Sequence, residues 1–208
     1  SKLSTEQFAA MTTEQVKSLT SAALNSLTTD QLAAFETEDL AALTTAQISR
    51  LSTDQLVKLS TDQMAALSTA QVRALTTNQI TALTTEQLNN MESDDLQALS
   101  ATQVRALTSE QVSKLSSDQI STMGTAGIAA LTTTQVTQLS TEAIANLTSD
   151  QAKAINTASL NALSTGQLAA LSSENVAALS TAQVSRLSAT QITRLSTDQI
   201  NALSTGQT

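Results

Sequence analysis

The stretch LSTDQLVK (51–58), LSTDQMAA (59–66), LSTAQVRA (67–74), LTTNQITA (75–82) decides how this chain folds. Four segments in succession place Leu first, Ser or Thr second, Thr third, Gln fifth and an apolar residue sixth. A fixed internal period has to be read before anything else, because each repeat of such a chain is one small structural unit. The register extends outward in both directions, through Leu3, Leu51, Leu99, Leu147 and Leu203, with no insertion or deletion. Starts at every eighth residue make 26 units, of which 25 are complete octads. The chain therefore reads as one continuous array over residues 1–208.

An octad does not suit a long helix or a strand. Eight residues turn an α-helix by about 800°, so an apolar stripe would drift by about 80° per repeat and wind around the outside. In a strand, positions one and six have opposite parity and would face opposite sides. A β-solenoid wants a turn residue such as Gly or Asn in nearly every coil, and the chain has only 4 Gly. The local chemistry points to a short helix instead. Ser or Thr occupies position two in 22 octads and Gln position five in 19. That spacing is a capping box, in which the hydroxyl accepts from the N3 amide and the Gln reaches back. The apolar residues at one and six then fall where a hydrophobic staple forms.

The charges sort themselves along this unit. Of 18 acidic residues, 14 sit at position four, beside the expected helix N-terminus. All 10 Lys and Arg sit at seven or eight, in the expected last turn. The helix dipole favours both placements by a few tenths to about 1 kcal/mol each. Asp54 with Lys58, and Glu110 with Lys114, have the acid-first spacing expected to form i,i+4 pairs.

Each octad is thus expected to be one helix of about five to seven residues, too short to persist alone. The fold class is all-α: a solenoid, or superhelix, of very short helices, one per eight residues. Positions one and six form its core, and coils of roughly 24–32 residues are expected if three or four helices complete a turn. Ala, at position eight in 14 octads, permits close approach, while Arg50, Lys58 and Arg186 mark where the chain faces water.

Composition excludes several functions. There is no His and no Cys, which removes the Ser-His-Asp triad, Cys-His pairs, structural zinc sites and disulfides. Two Phe are the only aromatics, so base- and sugar-stacking platforms are missing. A net charge of −8 with scattered cations argues against nucleic acid as a partner. No apolar run approaches the roughly 18 residues of a membrane span. Ser1-Lys2-Leu3 already falls in register, so no signal peptide is expected. No catalytic residue and no cofactor is expected, and the chain is read as non-enzymatic.

Some octads depart from the pattern. FETEDLAA (35–42) and MESDDLQA (91–98) gather Glu36, Glu38 and Asp39, and Glu92, Asp94 and Asp95. Several carboxylates could hold a divalent cation such as Ca²⁺. The reading preferred over that is a solvated helix N-terminus carrying extra anions, since no calcium-loop motif accompanies them. MGTAGIAA (123–130) loses cap and reach-back through Gly124 and Gly127, and is read as a weak octad carried by its neighbours rather than a hinge. Ala152 underfills a core position.

Two resemblances follow. LTSEQVSK (107–114) looks like the opening of the first helix of TAL-effector repeats, but the second helix and the base-reading loop are missing, so DNA recognition does not carry over. Over its length the chain resembles the octapeptide-repeat regions of very large proteobacterial surface or secreted proteins, often labelled adhesin-like; LSTAQVRA (67–74) and LSTAQVSR (179–186) carry the match. That resemblance implies an extracellular or cell-surface stalk, spacer or filament segment. Its implied partners are itself, end to end or laterally, or further repeats of a longer chain. The alternative is a binding solenoid that holds a peptide or glycan in its groove.

Overall fold

A computed structural model describes residues 4–203 and Gln207; Leu3, the first residue of the register, lies outside them. The described residues hold 25 helices and no strand, with one helix in each octad, from α1 (Thr5–Ala9) to α25 (Thr197–Ala202). Contacts divide the chain into two compact units, Ser1–Ala106 and Leu107–Thr208, and the octad register is the same in both.

The unit is built as its capping chemistry dictates. In α7 (Thr53–Leu56), Ser52 is extended at φ −68° and ψ 156°, and its hydroxyl accepts from the Gln55 amide. An extended N-cap ends the preceding helix while its side chain satisfies an otherwise orphaned donor of the next. The helix closes quickly. The Leu51 amide donates to the Ile48 carbonyl at 3.2 Å, and Leu59 to Leu56 at 3.1 Å. This three-residue bond recurs at position one in both units, for example from Leu139 to Val136.

Helix lengths run from four to seven residues, slightly shorter at the lower end than the sequence suggests. The four-residue helices are α6 (Thr45–Ile48), α7, α17 (Thr133–Val136), α23 (Thr181–Val184) and α24 (Ala189–Ile192). In each, position seven is Ser, Thr or Val, poor helix formers, and position eight is a long polar residue. The last turn then tightens to three-residue bonds, such as Arg50 to Gln47 at 3.1 Å. Arg50, Lys58 and Arg186 are exposed as expected.

This shortening explains one expectation that fails. Lys58 lies beyond the end of α7, so it does not stand on a helix face above Asp54, and no ion pair forms. Glu110 and Lys114 share α14 (Ser109–Lys114) but do not pair either; an exposed pair gains too little to immobilise two long side chains. Among the described residues the ion pair is Lys17 with Glu14, at 3.0 Å.

Packing follows one rule in each unit: a helix lies against the helix three places along. In unit 1, α7 contacts α10 (Thr77–Ala82), which contacts α13 (Ala101–Ala106); in unit 2, α16 (Gly124–Ala130) contacts α19 (Ser149–Ala154), which contacts α22 (Ser173–Ala178). Each unit is a coil of short helices, a solenoid. Its core is positions one and six, as expected: Leu56, Ile80, Leu88 and Leu160 are completely buried. Phe8 and Phe35 meet across neighbouring coils with ring centroids 6.0 Å apart, close enough for tilted aromatic contact. From Asp39 onward position five is buried as well, which the apolar pattern gave no reason to expect.

Candidate functional site

From Asp39 to Gln199, position five is buried in every octad. Wherever that residue is Gln, from Gln7 to Gln199, the capping box is complete. In Gln79 the Oε1 atom accepts from the Thr76 amide at 2.8 Å. Its Nε2 atom turns the other way and donates to the Ile48 and Leu51 carbonyls of the preceding coil, at 2.8 and 2.9 Å. Gln87 repeats this on Leu56 and Leu59, both at 2.9 Å. In unit 2, Gln183 donates to Ile155 at 2.7 Å and Gln199 to Leu171 at 2.6 Å.

The recurring partner lies 28 residues back, at position one, with a second at 30 or 31 back. Those are the carbonyls left over where one helix ends and the next is capped. An amide is the side chain that can accept at one end and donate at the other. Glu also completes a capping box, but it offers no N–H to the neighbouring coil. The preference for Gln over Glu is thus a record of coil-to-coil contact. Gln7 and Gln15, with no coil 28 residues earlier, make the box and stay exposed.

Substitutions at this position form a graded series. Asn175 keeps the bond between coils, donating to Leu147 at 2.9 Å, but makes no reach-back. Ser159 makes neither; its hydroxyl meets Thr133 on the neighbouring coil at 3.1 Å. Ala143 has no polar atom, and Gly127 has no side chain. At Gly127 the Met123 side chain fills the space, and an added Cβ would lie 3.1 Å from the Met123 Cβ. Gly124 stands at φ 69°, a left-handed conformation that Gly adopts without strain, and it replaces the extended N-cap between α15 (Ser117–Thr122) and α16. The weak octad does form its helix.

The structure divides each acidic triplet. Glu36 is the N-cap of α5 (Thr37–Ala42) and makes no side-chain cap bond; Glu38 is exposed, and Asp39 is buried. Glu92 occupies the same place before α12 (Ser93–Ala98), with Asp94 exposed and Asp95 buried. Two carboxylates of each triplet face solvent and the third faces the core. Among the described residues no group of three or more acids is gathered closely enough to hold a metal ion. Burial pushes the Asp95 carboxyl above its ordinary value; hydrogen bonding from Thr69 opposes this, and Glu92 and Asp94 add to it. Glu38 is held below its ordinary value by backbone and Thr37 hydrogen bonds.

A shallow groove of about 440 Å³ runs past Glu36, Glu38, Lys58 and Asp62. A second, of about 410 Å³, is lined by Thr157, Asn161, Ala182 and Arg186. No helix of the described residues is long and apolar enough to cross a membrane.

Compared with known families, residues 1–37, 32–69, 64–91, 88–125, 144–181 and 152–189 match the ALTTAQ repeat. The chain belongs to the ALTTAQ repeat family. The six letters that describe the family stand in this chain at Ala42-Leu43-Thr44-Thr45-Ala46-Gln47. It runs from position eight through the N-cap to the bridging Gln, which is the junction between two helices. The ALTTAQ matches pass over residues 126–143, the stretch that includes Gly127 and Ala143. No curated protein matches the chain in sequence.

Proposed function

We propose that this chain is a non-enzymatic structural repeat protein, a stalk, spacer or filament segment acting at a bacterial surface or outside the cell. The observation that carries the reading is the amide bridge. The same pair of partners, a Gln Nε2 and the carbonyl 28 residues back, joins coil to coil repeatedly within each unit. An interface that repeats at a fixed residue offset accepts another coil of the same kind, supplied by further repeats or by a second copy. Exposed Ile200, at the sixth position of its octad, is the kind of surface such a coil would cover. The bacterial surface location rests on the resemblance of the octads to surface and secreted repeat proteins.

Two experiments test the proposal. In electron micrographs of chains shortened or lengthened by whole octads, the particle should change length by a constant step per octad. Protease added to intact cells should cleave the chain. A particle whose length ignores octad number, or a chain wholly protected inside the cell, would remove the scaffold reading.

The groove beside Glu36 favours a second reading, because residues that break the octad pattern line it. There the solenoid would hold a basic peptide or a glycan. Saturable binding that Glu36→Thr with Glu38→Ala abolishes would select this reading over a plain scaffold.

A further inference from the structure

In unit 2 the residues lacking a Gln amide fall at a regular interval. Gly127, Ala143, Ser159 and Asn175 stand sixteen residues apart, one in every second octad, and alternate with Gln135, Gln151, Gln167 and Gln183. The bridge that Gln would make from 143 or 159 ends on the carbonyl 28 residues earlier, which is Leu115 or Leu131. Both residues are buried, and neither Ala143 nor Ser159 has a side-chain amide to offer them. The intervening Gln residues still donate to the earlier coil: Gln135 to Leu107 and Gln167 to Leu139, 28 residues back, and Gln151 to Ser121, 30 back, each at 2.7 Å. Within unit 1, by contrast, six octads in succession carry Gln, from Gln47 to Gln87. All six donate to the coil before them.

From this alternation we infer that unit 2 contains a built-in opening point: the coil holding residues 115–131 parts from the coil holding 143–159 before the amide-bridged coils of unit 1 separate. The physical reason is local. A hydrogen bond between coils opposes separation but does nothing to hold a single helix together. Removing it at alternate octads lowers the cost of parting the coils while leaving each octad folded. Opening free energies vary across a protein in this way, and the least-bonded contacts open first. Asn175 keeps its bridge to Leu147, which bounds the opening on the C-terminal side. The inference goes beyond the scaffold reading and does not depend on it, because it concerns only the order in which coils separate. For an extended scaffold, such a point would be where length is gained under load without unfolding the rest.

Hydrogen exchange of the whole 208-residue chain, followed by mass spectrometry, tests it. Peptides from 115–131 and 139–162 should exchange about tenfold faster than peptides from 59–90, the factor set by loss of one or two bonds of ordinary strength. Restoring the bridges with Ala143→Gln and Ser159→Gln should remove that difference. Because both sites are tightly buried, a reciprocal variant guards against a folding failure. Gln71→Ala with Gln79→Ala should raise exchange across 40–51 and 68–82 in unit 1 by a similar factor. Equal exchange of the two regions in the unmodified chain would overturn the inference. So would a reciprocal variant that exchanges no faster than its parent.

Discussion

Octads 43–90 of unit 1 and octads 123–178 of unit 2 obey the same eight-residue rule but join their coils differently. In the first stretch every octad has a buried Gln that caps its own helix and grips the coil before it. In the second, alternate octads have Gly, Ala, Ser or Asn there, yet each still forms a helix and buries its apolar residues. The difference separates two functions that consensus octads combine. The core and the cap make the helix; the amide joins the coils. A chain can give up the second at intervals and keep the first.

The largest effect should come from the core, where the two stretches are alike. Leu83→Ala should destabilise the chain by about 2–4 kcal/mol in urea unfolding, from lost burial and the cavity left behind. Leu163→Ala, at the same position of an octad in the second stretch, should fall in the same range. A much smaller loss at Leu163 would mean that the second stretch is loosely packed as well as less bridged.

Bridging is where the stretches should differ. Gln79→Ala deletes a reach-back and two donors to buried carbonyls, for a loss of roughly 2 kcal/mol, whereas Asn175→Ala deletes one donor, for roughly 1 kcal/mol. Equal losses would mean that the reach-back and the second bond between coils add nothing to the first. Gln79→Glu sharpens the point. It preserves the acceptor but puts a carboxylate against two carbonyls, and it should cost at least as much as Ala at neutral pH.

Acidity offers a further probe. Asp95 occupies the Gln position with its carboxyl held above the ordinary value by burial. A raised carboxyl pKa means that the folded state holds the proton more tightly than the unfolded state. The favourable contribution is fully present below the unfolded value, near pH 3.9. It is lost as pH rises through the folded value. Asp95 should thus make the chain less stable at neutral pH than in mild acid, and Asp95→Asn should flatten that part of the profile. Glu38 acts in the opposite sense, its stabilisation fading as pH falls, but it is fully exposed and its share should be slight. Urea midpoints for both chains between pH 3 and 7 give the comparison.

The smallest effect is expected at Thr85, a half-buried position-three residue with no cap role. Thr85→Ala should stay within about 0.5 kcal/mol, as ordinary surface changes do. A loss matching Leu83→Ala would contradict the burial assignment.

The local unit was legible in the sequence because its signals act within eight residues. Ser52, Gln55, Leu51 and Leu56 announce cap, reach-back and staple by spacing alone; the structure shows the cap and the reach-back in place and both leucines buried. The short last turn of α7 was less legible, since Val57 and Lys58 decide it by weak propensities, and the expected pair of Asp54 with Lys58 failed with it. The second use of Gln was hidden for a different reason: its partners lie 28 to 31 residues away, and no local pattern states that distance. A clue was available in the amide itself. Glu would satisfy the capping box and suit the helix dipole, so repeated choice of Gln asks what the N–H is for. Charge alone suggests solvent for Asp39 and Asp95, but position in the octad overrides charge and buries them.

Because each bridge spans a fixed offset and ends on the same kind of residue, register is counted in whole repeats. Deleting eight residues anywhere leaves later glutamines facing equivalent carbonyls, one rung displaced; deleting five leaves them facing the wrong atoms. Such a chain can grow or shrink by duplication and loss without redesign, much as a zipper works at any number of teeth. The unbroken spacing from Leu3 to Leu203, through many changes of individual letters, is the mark that constraint leaves on the sequence.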